Sequence, residues 1–274
     1  MNARSHSFPL RGLVLAALAL PLLAACAVLP SPGLQRAKAG EALFEDRCKS
    51  VAGIRIYKTV ADVEGIVLLK VRPKAGEREW SDPMWPGAAF ALEDSGENYI
   101  NTFLGYEQAL GSGSSWTPIT PTSRGYINTT FSPGAPYNLP GYRYVDVVEE
   151  GTGARWRYSL AQKPRPTSKI GWVDTVLERQ PAPVEGPRYG VMYDDHVIPE
   201  ERALGLASST VKVLDLKTNE VLGEMTMYSW TPSKPNPANP TPWLTARRCG
   251  SNSKLSDAKT RQFADQILLP RKDK

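Results

Sequence analysis

Apolar and polar positions along this chain fall into stretches of clearly different period. Residues 12–22 form a continuous apolar run, preceded by Arg4 and Arg11 as the only formal charges of the first 25 residues. A permanent transmembrane helix needs roughly 20 apolar residues, so this run is too short to be one. Basic residues, an apolar stretch and then small residues instead make the layout of a signal peptide over residues 1–25. Residues 26–33, with Pro30 and Pro32, read as a tether. Over 34–50, Leu34, Ala37, Leu43, Phe44 and Cys48 recur near helical spacing with no proline among them, which predicts a helix.

From Val51 onward the period becomes strand-like. Ile54-Arg55-Ile56-Tyr57 alternates, whereas Ile66-Val67-Leu68-Leu69 is a more continuous apolar strand. Alternating runs flank Glu150-Gly151-Thr152-Gly153 and Lys217-Thr218-Asn219-Glu220, so residues 142–158 and 211–230 predict hairpins. Further strands are expected at 125–131 and at 188–193, the latter running into a loop at Asp194-Asp195-His196. Residues 73–98, 111–123 and 231–243 are rich in Pro, Gly and polar residues and predict long loops. A closing helix is expected from Ser256, an N-cap candidate, to Leu269, ahead of Pro270. The fold class that results is mainly β, with antiparallel sheets in a sandwich- or partial propeller-like arrangement and a helix near each end. Residues 34–274 read as a single domain.

The end of the apolar run reads Leu23-Ala24-Ala25-Cys26, which resembles the lipobox of bacterial lipoproteins at each of its four positions. The resemblance implies that Cys26 receives a diacylglycerol, becomes the first residue of the mature chain and is further acylated on its amino group. Each buried CH₂ contributes about 0.8 kcal/mol, so several acyl chains on one cysteine give a firm anchor. Residue 27 is alanine rather than aspartate, which by analogy with enteric sorting points to the outer membrane.

Composition narrows the rest. Removing the leader's two arginines from 33 basic residues leaves 31 against 28 acidic ones, a net charge of +3, with no run of Lys or Arg able to track phosphates. Nucleic acid is therefore not an expected partner. Lipidation of Cys26 leaves Cys48 and Cys249, which an oxidising compartment is expected to join, two buried free thiols being the alternative. With His6 in the leader, His196 is the one histidine of the mature chain. A metal site built from several histidines is thereby excluded, and any Ser-His-Asp arrangement would have to use His196 alone. Neither a cofactor motif nor a nucleophile elbow occurs. Asp194-Asp195-His196 could hold a cation or a general base, although such a string equally suits a solvated turn. Glu149-Glu150 and Glu200-Glu201 are carboxylate doublets, but neighbours on a strand point to opposite faces.

Tryptophan is the unusual residue, with seven in the chain. Trp80, Trp85, Trp116, Trp230 and Trp243 lie in or beside Pro- and Gly-rich loops, where indoles can anchor a protein partner or fold back to plug the ends of a β core. These features favour binding over catalysis.

Several strings also resemble a family of proteobacterial lipoproteins associated with immunity partners of type VI secretion lipase effectors. They are Leu43-Phe44-Glu45-Asp46-Arg47-Cys48, Tyr57-Lys58-Thr59-Val60 with Val63-Glu64-Gly65, Leu68-Leu69-Lys70-Val71-Arg72-Pro73, Gly141-Tyr142-Arg143-Tyr144-Val145-Asp146, Tyr193-Asp194-Asp195, Asp215-Leu216-Lys217-Thr218-Asn219-Glu220-Val221, Pro242-Trp243 and Thr260-Arg261-Gln262-Phe263. The resemblance implies a periplasm-facing lipoprotein that binds and blocks a phospholipase toxin, and it carries over no interface residue. The alternatives are an accessory lipoprotein of an envelope or secretion assembly and a hydrolase using His196.

Overall fold

The computed structural model describes residues 31–131, 134–165, 173–251 and 258–272. The expected leader, the expected lipidation site Cys26, most of the expected tether and the expected N-cap Ser256 lie outside the described residues. The first helix, α1 (Pro32–Ser50), begins inside the expected tether, because Ser31 caps it by accepting from the Leu34 amide and Pro32 suits the first turn. Three strands follow in quick succession, β1 (Gly53–Ile56), β2 (Val60–Val63) and β3 (Gly65–Leu68).

The 73–98 segment, expected to be irregular, instead contains the helix α2 (Glu77–Ser81) and a 3-10 turn at Pro86–Phe90, and it runs into α3 (Glu97–Leu104). The short strands β4 (Tyr106–Gln108), β5 (Leu110–Ser112), β6 (Ser115–Thr117) and β7 (Tyr126–Asn128) come next. Then come β8 (Tyr144–Val148), β9 (Arg155–Pro164), β10 (Val173–Pro181) and β11 (Tyr189–His196). After α4 (Pro199–Ala203) the chain forms β12 (Leu206–Asp215), β13 (Glu220–Trp230), β14 (Arg247–Cys249), α5 (Lys259–Ala264) and β15 (Leu268–Pro270).

Among the described residues the main sheet holds nine strands, in the order β1-β13-β12-β11-β3-β8-β9-β10, with β14 sharing the outer edge of β13 with β1. Both expected hairpins are present as β8/β9 and β12/β13, and Asn219 supplies the positive φ of the second turn. The chain is thus mainly β and consistent with a sandwich-like arrangement. The pairing is mixed, however, because β3 runs parallel to both β11 and β8. The apolar run explains this position: all four β3 residues are buried, as suits a central strand covered on both faces.

At the C-terminus the expected helix is cut short. It spans only Lys259–Ala264, and the last apolar residues form β15 instead, pairing in parallel with β2. Arg261, fully buried, donates from α5 to the carbonyls of Thr102, Phe103 and Gly105, satisfying the open end of α3. Ile66, Leu68, Phe103, Leu104, Val211, Val213, Met225 and Phe263 fill the principal core.

A smaller cluster of Phe44, Leu206, Tyr228 and Trp230 seats α1 on the sheet. The helix approaches closely at Gly40, where a methyl group would run into the Leu204 carbonyl and the Trp230 indole. A disulfide joins Cys48 at the end of α1 to Cys249 on β14, across 201 residues of chain. No helix among the described residues is long and apolar enough to cross a membrane.

Candidate functional site

Parallel pairing places the ends of β3 and β11 on the same side of the sheet. The chain leaving β3 therefore carries Arg72 alongside Asp195 near the end of β11. Arg72 is 4% exposed. Its guanidinium lies between the rings of Phe90 and Tyr193, 4.0 Å from each centroid, and donates to Glu93 (2.7 Å) and Asp195 (3.3 Å). Burial acts to lower the Arg72 pKa, but the two carboxylates outweigh it and hold the group charged. Burial also pushes the Tyr193 phenol up to about 12, so it remains protonated and donates to the Val71 carbonyl.

The 3-10 turn at Pro86–Phe90 covers this group. It packs on β11, β12 and β13, and the Ser229 hydroxyl fixes it by donating to the Ala89 carbonyl at 3.0 Å. The preceding Asp82 accepts from the Met84 and Trp85 amides, which sets the turn that presents Trp85. Between this turn and α2 lies a cavity of about 310 Å³ lined by Trp80, Trp85, Phe90, Arg72, Tyr193 and Asp195, among others. Two buried donors of its lining, Arg72 Nη2 and Trp80 Nε1, have no hydrogen-bond partner among the described residues. Leaving such a donor unsatisfied costs about 1–3 kcal/mol, so the cavity favours a guest carrying a carbonyl or another acceptor beside apolar surface.

The structure sorts the five indoles. Trp80 and Trp85 come together at this cavity. Trp116 stands apart on the β5/β6 hairpin and is 38% exposed. Trp230 and Trp243 do not serve as surface anchors: both are buried, at 5% and 2% exposure, because each indole N–H finds a distant carbonyl. Trp230 donates to Leu204 and stacks near Phe44, and Trp243 donates to Asp82 at 2.8 Å. Trp243 thus props the turn that carries Trp85.

Asp194-Asp195-His196 is strand rather than loop, paired with Ser208–Thr210 across β12. Alternation splits the string, since Asp195 meets Arg72 whereas Asp194 lies within ion-pair distance of Lys70 and Lys212. His196 Nε2 shares a 3.0 Å hydrogen bond with the Thr210 hydroxyl, which in turn meets Thr226. One carboxylate of each doublet is engaged: Glu149 accepts from Thr152 and Arg179, and Glu201 from Arg47. Among the described residues no three or more His, Cys, Asp and Glu side chains are grouped to hold a metal ion.

Arg72, Glu93 and Phe90 had no local signature. Only the packing of three separate segments makes them one site. Comparison with family models, with curated proteins and with solved structures gave no match to this chain.

Proposed function

We propose that this chain is a lipid-anchored envelope protein that binds a protein partner, with the Trp80–Trp85 cavity receiving a partner segment. The observation that carries this reading is the pairing of two half-buried indoles with the unsatisfied Arg72 and Trp80 donors at one cavity. Rigid aromatics supply contact area at little entropic cost, and buried donors reward a partner carbonyl placed between them. The cavity also contains carboxylates that are already engaged by Arg72, so a neutral acceptor such as a backbone carbonyl or side-chain amide suits it better than a strong anion.

The partner class rests on the family resemblance of the sequence: a secreted phospholipase-type toxin, which the protein neutralises at the membrane where it acts. Anchoring through Cys26 would keep the binder at high local concentration on that surface. The test is retention of partners from the producing cell's lysate on the tagged chain, identified by mass spectrometry. A stoichiometric lipase-like toxin supports the reading. Recovery of envelope or secretion components alone would overturn it in favour of an accessory lipoprotein.

A further inference from the structure

On the other side of the Pro83–Gly87 stretch lies a second cavity, of about 360 Å³. Its charged lining is entirely cationic, with Arg36 from α1, Arg202 from α4 and Lys234 from the loop after β13. Pro83, Met84 and Trp243 form apolar walls.

Arg202 is the unusual member. Four arginines among the described residues are more than nine-tenths buried: Arg72, Arg124, Arg202 and Arg261. Arg72, Arg124 and Arg261 each donate to at least one carboxylate. Arg202, 3% exposed, donates only from Nη2, over 3.4 and 3.3 Å, to the carbonyls of Pro86 and His196. Its Nε and Nη1 have no partner among the described residues. Burial, offset only in part by Asp195, Asp82 and Glu201 at longer range, pushes its pKa down to about 10. A buried cation in this condition is stabilised by any anion that reaches it.

Arg36 is held in place, with Nε donating to the Ala203 carbonyl at 2.7 Å and Nη1 to the Pro232 carbonyl at 2.9 Å. Lys234 is exposed and lines the cavity as a point charge. We propose that this cavity binds a phosphate group, with an unpartnered N–H of Arg202 as its principal donor and Lys234 as a second charge. A carboxylate has only two oxygens, both in one plane, whereas a tetrahedral phosphate presents oxygens in different directions and can meet Arg202, Lys234 and Arg36 together. The apolar walls leave room for the carbon skeleton of a phosphate ester. The source is therefore either a glycerophosphate head group or free phosphate.

The test is titration calorimetry of the full chain in detergent at fixed ionic strength, with inorganic phosphate, sn-glycerol 3-phosphate and acetate as probes. Both phosphate compounds are expected to bind, and acetate at least about tenfold more weakly. Arg202→Met should weaken phosphate binding by more than about tenfold, as for a lost charged hydrogen bond. Lys234→Ala, at an exposed site that leaves the fold untouched, should weaken it about threefold. Tighter binding of glycerol 3-phosphate identifies a head-group site, and equal binding identifies a free-phosphate site. Failure of both phosphate compounds to bind at millimolar concentration, equal binding of acetate, or indifference to Lys234→Ala would overturn the proposal.

Discussion

Replacing Cys48 and Cys249 together by serine removes a bridge that closes 201 residues of chain. In the chain-entropy model a loop of that length is worth about 5 kcal/mol, which sets the upper figure, since native disulfides of small exported domains contribute about 2–5 kcal/mol. The native state should change little, because α1 keeps its other holds on the sheet. Phe44 remains packed with Leu206, Tyr228 and Trp230, and the ion pairs of Arg47 with Glu201 (3.2 Å) and Arg247 with Glu41 (2.5 Å) do not involve the bridge. The loss therefore falls on the unfolded state, which becomes less constrained. Urea unfolding of the oxidised parent and the double variant should show a loss of about 3–5 kcal/mol, a steeper denaturant dependence as the unlinked chain exposes more surface, and a fall in Tm of roughly 10–15 °C. A loss below about 1 kcal/mol with an unchanged slope would refute this account of the bridge.

The two ends of the tryptophan series should behave oppositely. Trp243→Ala, at a buried indole that donates to Asp82, should cost about 3–5 kcal/mol in the same assay, whereas Trp116→Ala on its exposed hairpin should stay within about 0.5 kcal/mol; equal effects would contradict the burial assigned to them. Asp215 is held down to about 2, first by hydrogen bonds from Arg188, against the opposing effect of desolvation, and then by the Lys217 amide. Its folded pKa lies below the unfolded value of about 3.9, so its contribution is complete above about pH 4 and is lost as pH falls toward 2. Urea midpoints measured between pH 6 and pH 2 should therefore fall less for Asp215→Asn than for the parent over that window, and parallel curves would contradict the assignment. Cys26→Ser should abolish labelling of the protein by radioactive palmitate in growing cells, and persistent label would rule out that cysteine as the anchor.

Much of the fold is legible in local pattern, and the exceptions have physical causes. The β12/β13 hairpin is readable because alternating strands flank a turn whose Asn219 tolerates positive φ. Helix α1 is readable from its spacing, and β3 from its unbroken apolar run. Periodicity does not name a strand's neighbours, so the parallel β11-β3-β8 centre was hidden. The closing helix was overextended because the apolar positions at 267–269 fit either period, and β2 decides the matter by offering an edge to β15.

The candidate site was only half legible. Trp80 and Trp85 announce themselves as indoles between prolines and glycines. Trp230 and Trp243 look the same in sequence, yet fold inward because carbonyls at Leu204 and Asp82 satisfy them. Arg72 and Arg202 are ordinary arginines until tertiary packing buries one between two rings and leaves the other without a carboxylate.

The most direct test of the binding reading is site-specific photocrosslinking in the producing cell, with benzoylphenylalanine in place of Trp85 and, separately, of Trp116. The account predicts one discrete adduct with a phospholipase-type toxin from position 85 and none from position 116. An adduct from position 116 alone, or adducts from position 85 with envelope or secretion components only, would contradict it.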